Sequence, residues 1–420
     1  MPPAQRIAFV CPRFSEKGTI GGAETLLKAL AERMAKAGRE VHFLTTCATN
    51  HYTWQNDVPA GTKICNGLTV HFFPVNEDRD VTAFLTIQGR MDKGIRVSDA
   101  EERSWIANSV NSRALMEHLE REGAGYDRII TGPYLFGITY AVATKYPAKT
   151  LLVPCLHDEQ FAYLGIMKEM FLGVRGFLFN TNPERDLAVR LYGIDTKHSA
   201  VVGLGLDDFE ADPAAFAHKH NLTTPYLCYS GRREPLKGTP LLCAYLHAFR
   251  ERTERDLRLV CTGSGQIDAP PELLPYILDV GFVSEQEKHE AMAGAVAFVH
   301  PSVNESLGIV LLESWLARTP CLVHAKGVVL RDQCHRAGGG LWFKNYAQFE
   351  EEVLMLMDEP ATRRALGESG RAFVLKEYAW TAVERRMMEA VDAEWVSGVG
   401  CRVSGEQKPE TELNASAPET

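Results

Sequence analysis

Short β-rich runs alternate with helix-spaced stretches along almost the whole chain, the pattern of a parallel sheet covered by helices on both faces. In the first half the strand candidates are residues 7–11, 41–46, 68–74, 128–132, 151–157, 176–181 and 200–204. A second series follows at 226–231, 257–263, 277–283, 296–302, 320–326 and 341–343. Two doubly wound α/β sheets fit this series better than one, and 420 residues suffice for two domains that each bury a core. Residues 203–216 lack clear periodicity and carry Gly, Asp and Pro, which places the linker there and divides the chain into domains at 1–205 and 206–377. Ligands of open α/β sheets bind beyond the carboxyl ends of the strands, so motifs at such ends in the two halves are expected to face each other across a cleft. The tail 404–420 is polar, poor in large apolar groups and expected to be disordered.

Hydrophobic residues make up 45% and charged residues 24%, as in an ordinary globular chain. A net charge of −9 provides no general basic field for a nucleic-acid backbone, so an anionic ligand must be held by a few placed cations and amides. The ten cysteines are scattered, several in apolar strand-like runs (Cys155, Cys228, Cys261, Cys321), and none forms a C-x-x-C pair. Reduced thiols and a cytoplasmic setting are expected, with no zinc knuckle. The first strand candidate begins after only six residues, so a secretory leader is not expected, and no run of about 18 apolar residues suggests a membrane span.

Three constellations carry chemistry. Residues 300–315 place Glu305 and Glu313 across an expected strand, loop and helix junction, where free helix amides face an incoming anion. Glu313 lies roughly 8 to 12 Å further along that helix than Glu305, so the pair can bracket a diphosphate, one carboxylate accepting sugar hydroxyls and the other ribose hydroxyls. Gly21-Gly22-Ala23-Glu24 ends the loop after the first strand and opens a helix with Leu26, Leu27, Leu30 and Met34 at helical spacing. Such a loop either brings amides to a phosphate or only permits a turn. Arg232 and Lys237 follow the strand 226–231 directly; they either clamp a diphosphate, forked guanidinium with point-charge ammonium, or form a solvated loop. His157 ends a strand candidate and either binds a sugar hydroxyl or is structural, while Asp158 reads as the N-cap of a helix over 159–171. Asp78-Arg79-Asp80 formally matches a D-x-D metal motif but sits in a polar loop, and Arg90, Lys93, Arg96 and Arg103 read as a solvated helix face. No P-loop or dinucleotide fingerprint occurs.

With the glycine loop, the Arg-Lys strand end and the spaced glutamates in order, the chain resembles the retaining glycosyltransferases of family 4, which have the GT-B fold. Glu305-Ser306-Leu307-Gly308 through Glu313 carries most of the resemblance as the family's E-x7-E element. The resemblance implies that Glu313 binds ribose, Glu305 the transferred sugar, and Arg232 and Lys237 the diphosphate. It places the amides of Ser306, Leu307 and Gly308 against sugar and phosphate, Gly21 and Gly22 opposite them, His157 near the reacting carbon, and Phe282 and Val283 beside the base. It also implies a closing helix over 378–399 that returns to the first domain. The implied reaction moves a sugar from a nucleoside diphosphate, UDP-type first, to a glycan, lipid-linked or small-molecule acceptor with retention and with neither metal nor other cofactor. Contact with a membrane is at most peripheral, at the inner face, and no nucleic-acid partner is implied. Two alternatives stay open: a nucleotide-sugar epimerase of related architecture, and a non-catalytic nucleotide-sugar-binding scaffold. The segment 325–332 departs from the family's glycine-rich acidic turn, which leaves the sugar open.

Overall fold

The computed structural model describes residues 5–16 and 21–395. The expected disordered tail at 404–420 lies outside them. The first sheet contains β1 (Arg6–Val10), β2 (Glu40–Thr46), β3 (Gly61–Cys65), β4 (Leu68–Phe73), β5 (Arg128–Thr131), β6 (Thr150–Leu152), β7 (Gly176–Phe179) and β8 (Ser199–Val201), in the order β3-β4-β2-β1-β5-β6-β7-β8. All its pairings are parallel except β3 with β4. The second sheet, parallel throughout, contains β9 (Tyr226–Ser230), β10 (Arg258–Thr262), β11 (Ile277–Gly281), β12 (Ala297–His300), β13 (Cys321–His324) and β14 (Gly340–Phe343), in the order β11-β10-β9-β12-β13-β14.

Helices cover both faces of each sheet, which is why the central strands read as continuous apolar runs: Ile7, Ala8, Phe9 and Val10 of β1 are all fully buried. The fold class is thus α/β with two Rossmann-like sheets. In the second sheet the strand order runs outward from β9 on one side and from β12 on the other, so the topological switch point lies between the carboxyl ends of these two strands.

Three local expectations are corrected. β3 was absent from the strand candidates. It is an exposed antiparallel edge, with Ile64 outward, so it has no buried face to give alternation. The expected strand 151–157 leaves the ladder after Leu152, and Cys155 takes a left-handed φ of 50°. Asp158 caps no helix: a short 3-10 turn, Gln160–Tyr163, precedes the helix Gly165–Gly173, whose cap is Leu164, and Asp158 pairs with Arg190 at 2.6 Å.

The chain crosses between domains twice, side by side, where Leu206 N–H donates to Tyr378 C=O at 2.8 Å. After the second crossing the helix Trp380–Asp392 packs on the first domain, with the Arg33 guanidinium 4.3 Å over the Trp380 ring and Arg128 Nε donating to Val391 C=O at 3.1 Å. A side chain at Gly205 would stand 2.2 Å from the Trp380 ring, so glycine is what lets the crossing pass. Among the described residues, no helix is long and apolar enough to cross a membrane.

Candidate active site

The switch point gathers a half-buried ion pair. Lys237, reached from the carboxyl end of β9 through the turn Pro235–Lys237, donates to Glu305 Oε1 at 2.6 Å. Glu305 stands five residues beyond the end of β12, with His300 Nε2 3.6 Å from the same oxygen. Burial opposes ionisation of Glu305, yet Lys237 and His300 more than offset it and hold the carboxyl down to about 2. His300 itself is 4% exposed and is pushed down to about 4 by burial, so it is neutral at pH 7. From the opposite domain His157 comes within electrostatic reach of both Glu305 and Lys237; burial lowers its pKa as well, and Nδ1 is 3.7 Å from Glu159, which Tyr134 holds by a 2.8 Å hydrogen bond.

The loop 305–308 is fixed by its carbonyls. Ser306 C=O accepts from Thr181 Oγ1 at 3.1 Å, Asn180 Nδ2 donates to Ser306 Oγ at 3.3 Å, and Leu307 C=O accepts from Gln333. Asn180 and Thr181 belong to the first domain, so this loop is held across the domain boundary. Among the described residues, the amides of Glu305, Ser306, Leu307 and Gly308 donate to no protein acceptor. Gly308, at φ 78°, is the cap of the helix Ile309–Leu316, and a Cβ there would meet Leu330 at 2.4 Å. A row of free amides beside an anionic carboxylate and its ammonium partner suits a ligand with both phosphate oxygens and hydroxyls.

Glu313, 8% exposed, sits one helix turn further on, and Lys288 Nζ lies 2.9 Å from its Oε2 and 2.7 Å from Glu285. Burial raises the Glu313 pKa while Lys288 counters it. Glu285, His289 and Glu313 bring their ligand atoms within 4.8 Å of one another, a spacing able to hold a cation, and the Lys288 ammonium sits against both carboxylates. Phe282, 79% exposed beyond β11, and the half-buried Val283 offer a flat apolar platform near the sheet edge.

Two predicted residues stand apart. Arg232 does not join Lys237: it is half exposed, 3.3 Å from Glu234 and 3.5 Å from His51 Nε2 of the first domain. Gly21 is packed tight, because a Cβ there would stand 2.4 Å from Glu24, whereas Gly22 faces open space at the start of the helix Gly22–Lys36. The sequence reading missed the Arg13–Glu24 pair, buried at 2.5 Å behind this glycine turn, and Lys288, Asn180 and Thr181. Thr181 and Glu184 have the T-x-x-E spacing of a helix start, a signal that was available. Asp80 caps the helix Val81–Asp92, and Asp78 pairs with Arg113 at 2.9 Å, so both acidic groups of the D-x-D match have structural partners. Of the basic run, Arg90 pairs with Glu101 and Arg103 with Glu169, which fits a solvated helix face.

In comparison with known proteins, the second half of the chain finds a family match. Residues 211–373 match the family of glycosyl transferases group 1. The D-inositol 3-phosphate glycosyltransferase of Kineococcus radiotolerans is 31% identical over 242 residues, covering 50% of this chain and 55% of that protein. A GDP-mannose-dependent monoacylated alpha-(1-6)-phosphatidylinositol monomannoside mannosyltransferase of Corynebacterium glutamicum is 25% identical over 185 residues, 41% of this chain and 48% of that protein. The chain thus spans about half the length of these curated relatives. Among solved structures, sucrose-phosphate synthase of Thermosynechococcus elongatus superposes with a TM-score of 0.67 at 17% identity, covering 91% of this chain and 97% of that one. HepE of Anabaena, in complex with UDP and glucose, gives 0.65 at 12%, covering 92% and 99%. These likenesses identify the fold as GT-B.

Proposed function

We propose that the chain is a glycosyltransferase that moves a sugar from a nucleoside diphosphate to a hydroxyl acceptor, with retention at the anomeric carbon and without a metal. The observation that carries this reading is the Lys237–Glu305 pair beside the free amides of 305–308 at the switch point, facing His157. Glu305, ionised through the physiological range, accepts hydroxyls of the transferred sugar, and the amides with Lys237 receive the diphosphate as negative charge develops on it. Arg232 joins them on closing of the cleft by leaving Glu234 for the phosphate. Glu313 accepts the ribose hydroxyls, and Phe282 with Val283 flanks the base, UDP-type in the first instance. The bond from the anomeric carbon to the diphosphate oxygen breaks while the acceptor oxygen bonds to the same face of that carbon. The acceptor proton passes to the departing phosphate oxygen. Glu305 is held anionic by a cation instead of being split in pKa from a second carboxylate, unlike the acid and base pair of a hydrolase.

The acceptor is a glycan, a lipid-linked sugar or a small polyol. Two relatives carry inositol phosphate or phosphatidylinositol in their names, which puts phosphorylated cyclitols first among acceptors to try. The test is a binding titration of UDP, GDP, TDP and ADP and their sugars, with and without EDTA, on the wild type and Glu313→Ala. Tight binding of one nucleotide, unaffected by EDTA and weakened by the substitution, is expected. Binding by none of them leaves a GT-B scaffold without donor chemistry, and interconversion of the donor sugar without an acceptor identifies an epimerase.

A further inference from the structure

Glu184 is a carboxylate that the proposed reaction does not use. It is 1% exposed, in the first turn of the helix Asn182–Tyr192, and among the described residues no cation pairs with it. Its Oε1 accepts from the Leu156 amide at 2.7 Å and its Oε2 from the Asn180 amide at 2.6 Å. These amides belong to segments that leave β6 and β7. One segment continues directly into His157. The other continues into Asn180 and Thr181, which hold Ser306 of the donor loop by the two hydrogen bonds described above. Thr181 Oγ1 also accepts from the Glu184 backbone amide at 3.3 Å as the cap of this helix, so the hydroxyl that donates to Ser306 C=O is anchored at the same helix start.

We infer that Glu184 is a positioning residue of the reaction centre: one buried carboxylate sets both the His157 segment of the first domain and, through Asn180 and Thr181, the Ser306 loop of the second. The inference rests on the proposed transfer at that loop. An ionised carboxylate accepts at both oxygens, whereas an amide or a protonated acid turns a donor toward one of the two N–H groups and breaks that bond. Burial raises the Glu184 pKa to about 8 against the backbone donors that lower it, so the two-bond arrangement is completed as pH rises through that region.

The test compares wild type, Glu184→Gln and Glu184→Asp in full-length protein by amide hydrogen exchange, melting temperature and the pH dependence of kcat. Glu184→Gln is expected to speed exchange at 153–157 and at Leu311 and Leu312, whose amides donate to Gly308 C=O at the end of the loop, with kcat at least about tenfold lower and KM for the donor within a few-fold, because a small misplacement of reacting groups falls on the chemical step. Wild-type kcat is expected to rise with pH toward a limb near 8 that is missing from the glutamine variant. Glu184→Asp, one methylene short, is expected to retain only one of the two segments in its protected state. The inference is overturned if exchange at 311–312 matches wild type in Glu184→Gln while 180–184 alone loosens, or if kcat and melting temperature fall together with the pH limb intact. Should the wild type turn over no donor, the transfer reading fails by itself, and exchange at 311–312 still decides whether Glu184 sets that loop.

Discussion

At the scale of single residues, the half-buried Glu305 and the fully buried Glu184 move in opposite directions under desolvation of the same sign. Glu305 has an ammonium and an imidazole beside it and falls to about 2; Glu184 has only neutral backbone donors and rises to about 8. The sign of each contribution to stability follows. Glu305, depressed in the folded state, adds stability that is fully present above the ordinary carboxylate value and is lost as pH falls through about 2. Glu184, raised, adds stability that is present below that value and lost as pH rises through about 8. Lys237→Met strips Glu305 of its counter-ion in a site that is only slightly open to water, so unfolding free energy is expected to drop by about 1–3 kcal/mol, with donor binding lost. Adding Glu305→Gln to that variant is expected to restore most of the stability and none of the binding. Urea titration of the single and double variants checks this, and a single variant as stable as wild type would show that Lys237 is not what keeps Glu305 charged.

At the scale of elements, the helix Ile309–Leu316 depends on a left-handed residue at its cap. Gly308→Ala places a Cβ in that conformation, at about 1–2 kcal/mol, and drives it toward Leu330. A lower melting temperature and nucleotide affinity reduced about tenfold or more are expected from thermal shift and calorimetry, since the displaced amides are those offered to the phosphates. Unchanged affinity in a destabilised variant would remove the loop from the donor site. This element was readable because glycine, a preceding strand and an apolar run fall together in one short stretch. The parallel strands were equally readable, being buried on both faces. β3 was not, for it has no buried face, although Asn66-Gly67 with φ of 50° and 81° is a two-residue hairpin signal. Asp158 misled because a polar residue before apolar ones reads as a cap, whereas here a bend and a 3-10 turn intervene. What lay beyond local reading was partnership over long separations: Thr181 with Ser306 and Arg232 with His51 are set by how the domains meet, Lys288 with Glu313 by how two helices of the second domain pack, and none has a spacing in sequence to betray it.

At the scale of the whole molecule, the linker is stapled to both domains by neighbouring aspartates. Asp207 reaches back to Arg33 of the first domain at 3.1 Å, and Asp208 reaches forward to Arg371 of the second at 2.8 Å. The two staples are unequal. Asp207 is largely exposed, so its pair gains little after screening. Arg371 is 7% exposed and also donates to Leu316 C=O at 2.7 Å, so it ties the linker to the end of the helix that starts at the donor loop. Arg371→Met leaves that carbonyl without its donor and frees Asp208; a loss of about 1–3 kcal/mol in unfolding free energy is expected, against less than about 1 kcal/mol for Arg33→Met. Among the described residues, the opposite lobes meet at the rim of the cleft, between His51 and Arg232 and between Tyr52 and Glu234 at 3.5 Å, at its floor through Ser306, and where the helices Asn182–Tyr192 and Val328–Ala337 pack, and loosening the linker is expected to widen the range of lobe separations. Small-angle scattering of Arg371→Met should then show a larger radius of gyration than wild type, and added nucleotide should bring the two closer by drawing the lobes onto one ligand. Equal stability losses for the two arginine variants, with identical scattering curves, would mean that the side-by-side crossings at Leu206 and Tyr378 fix the domains without help from either aspartate.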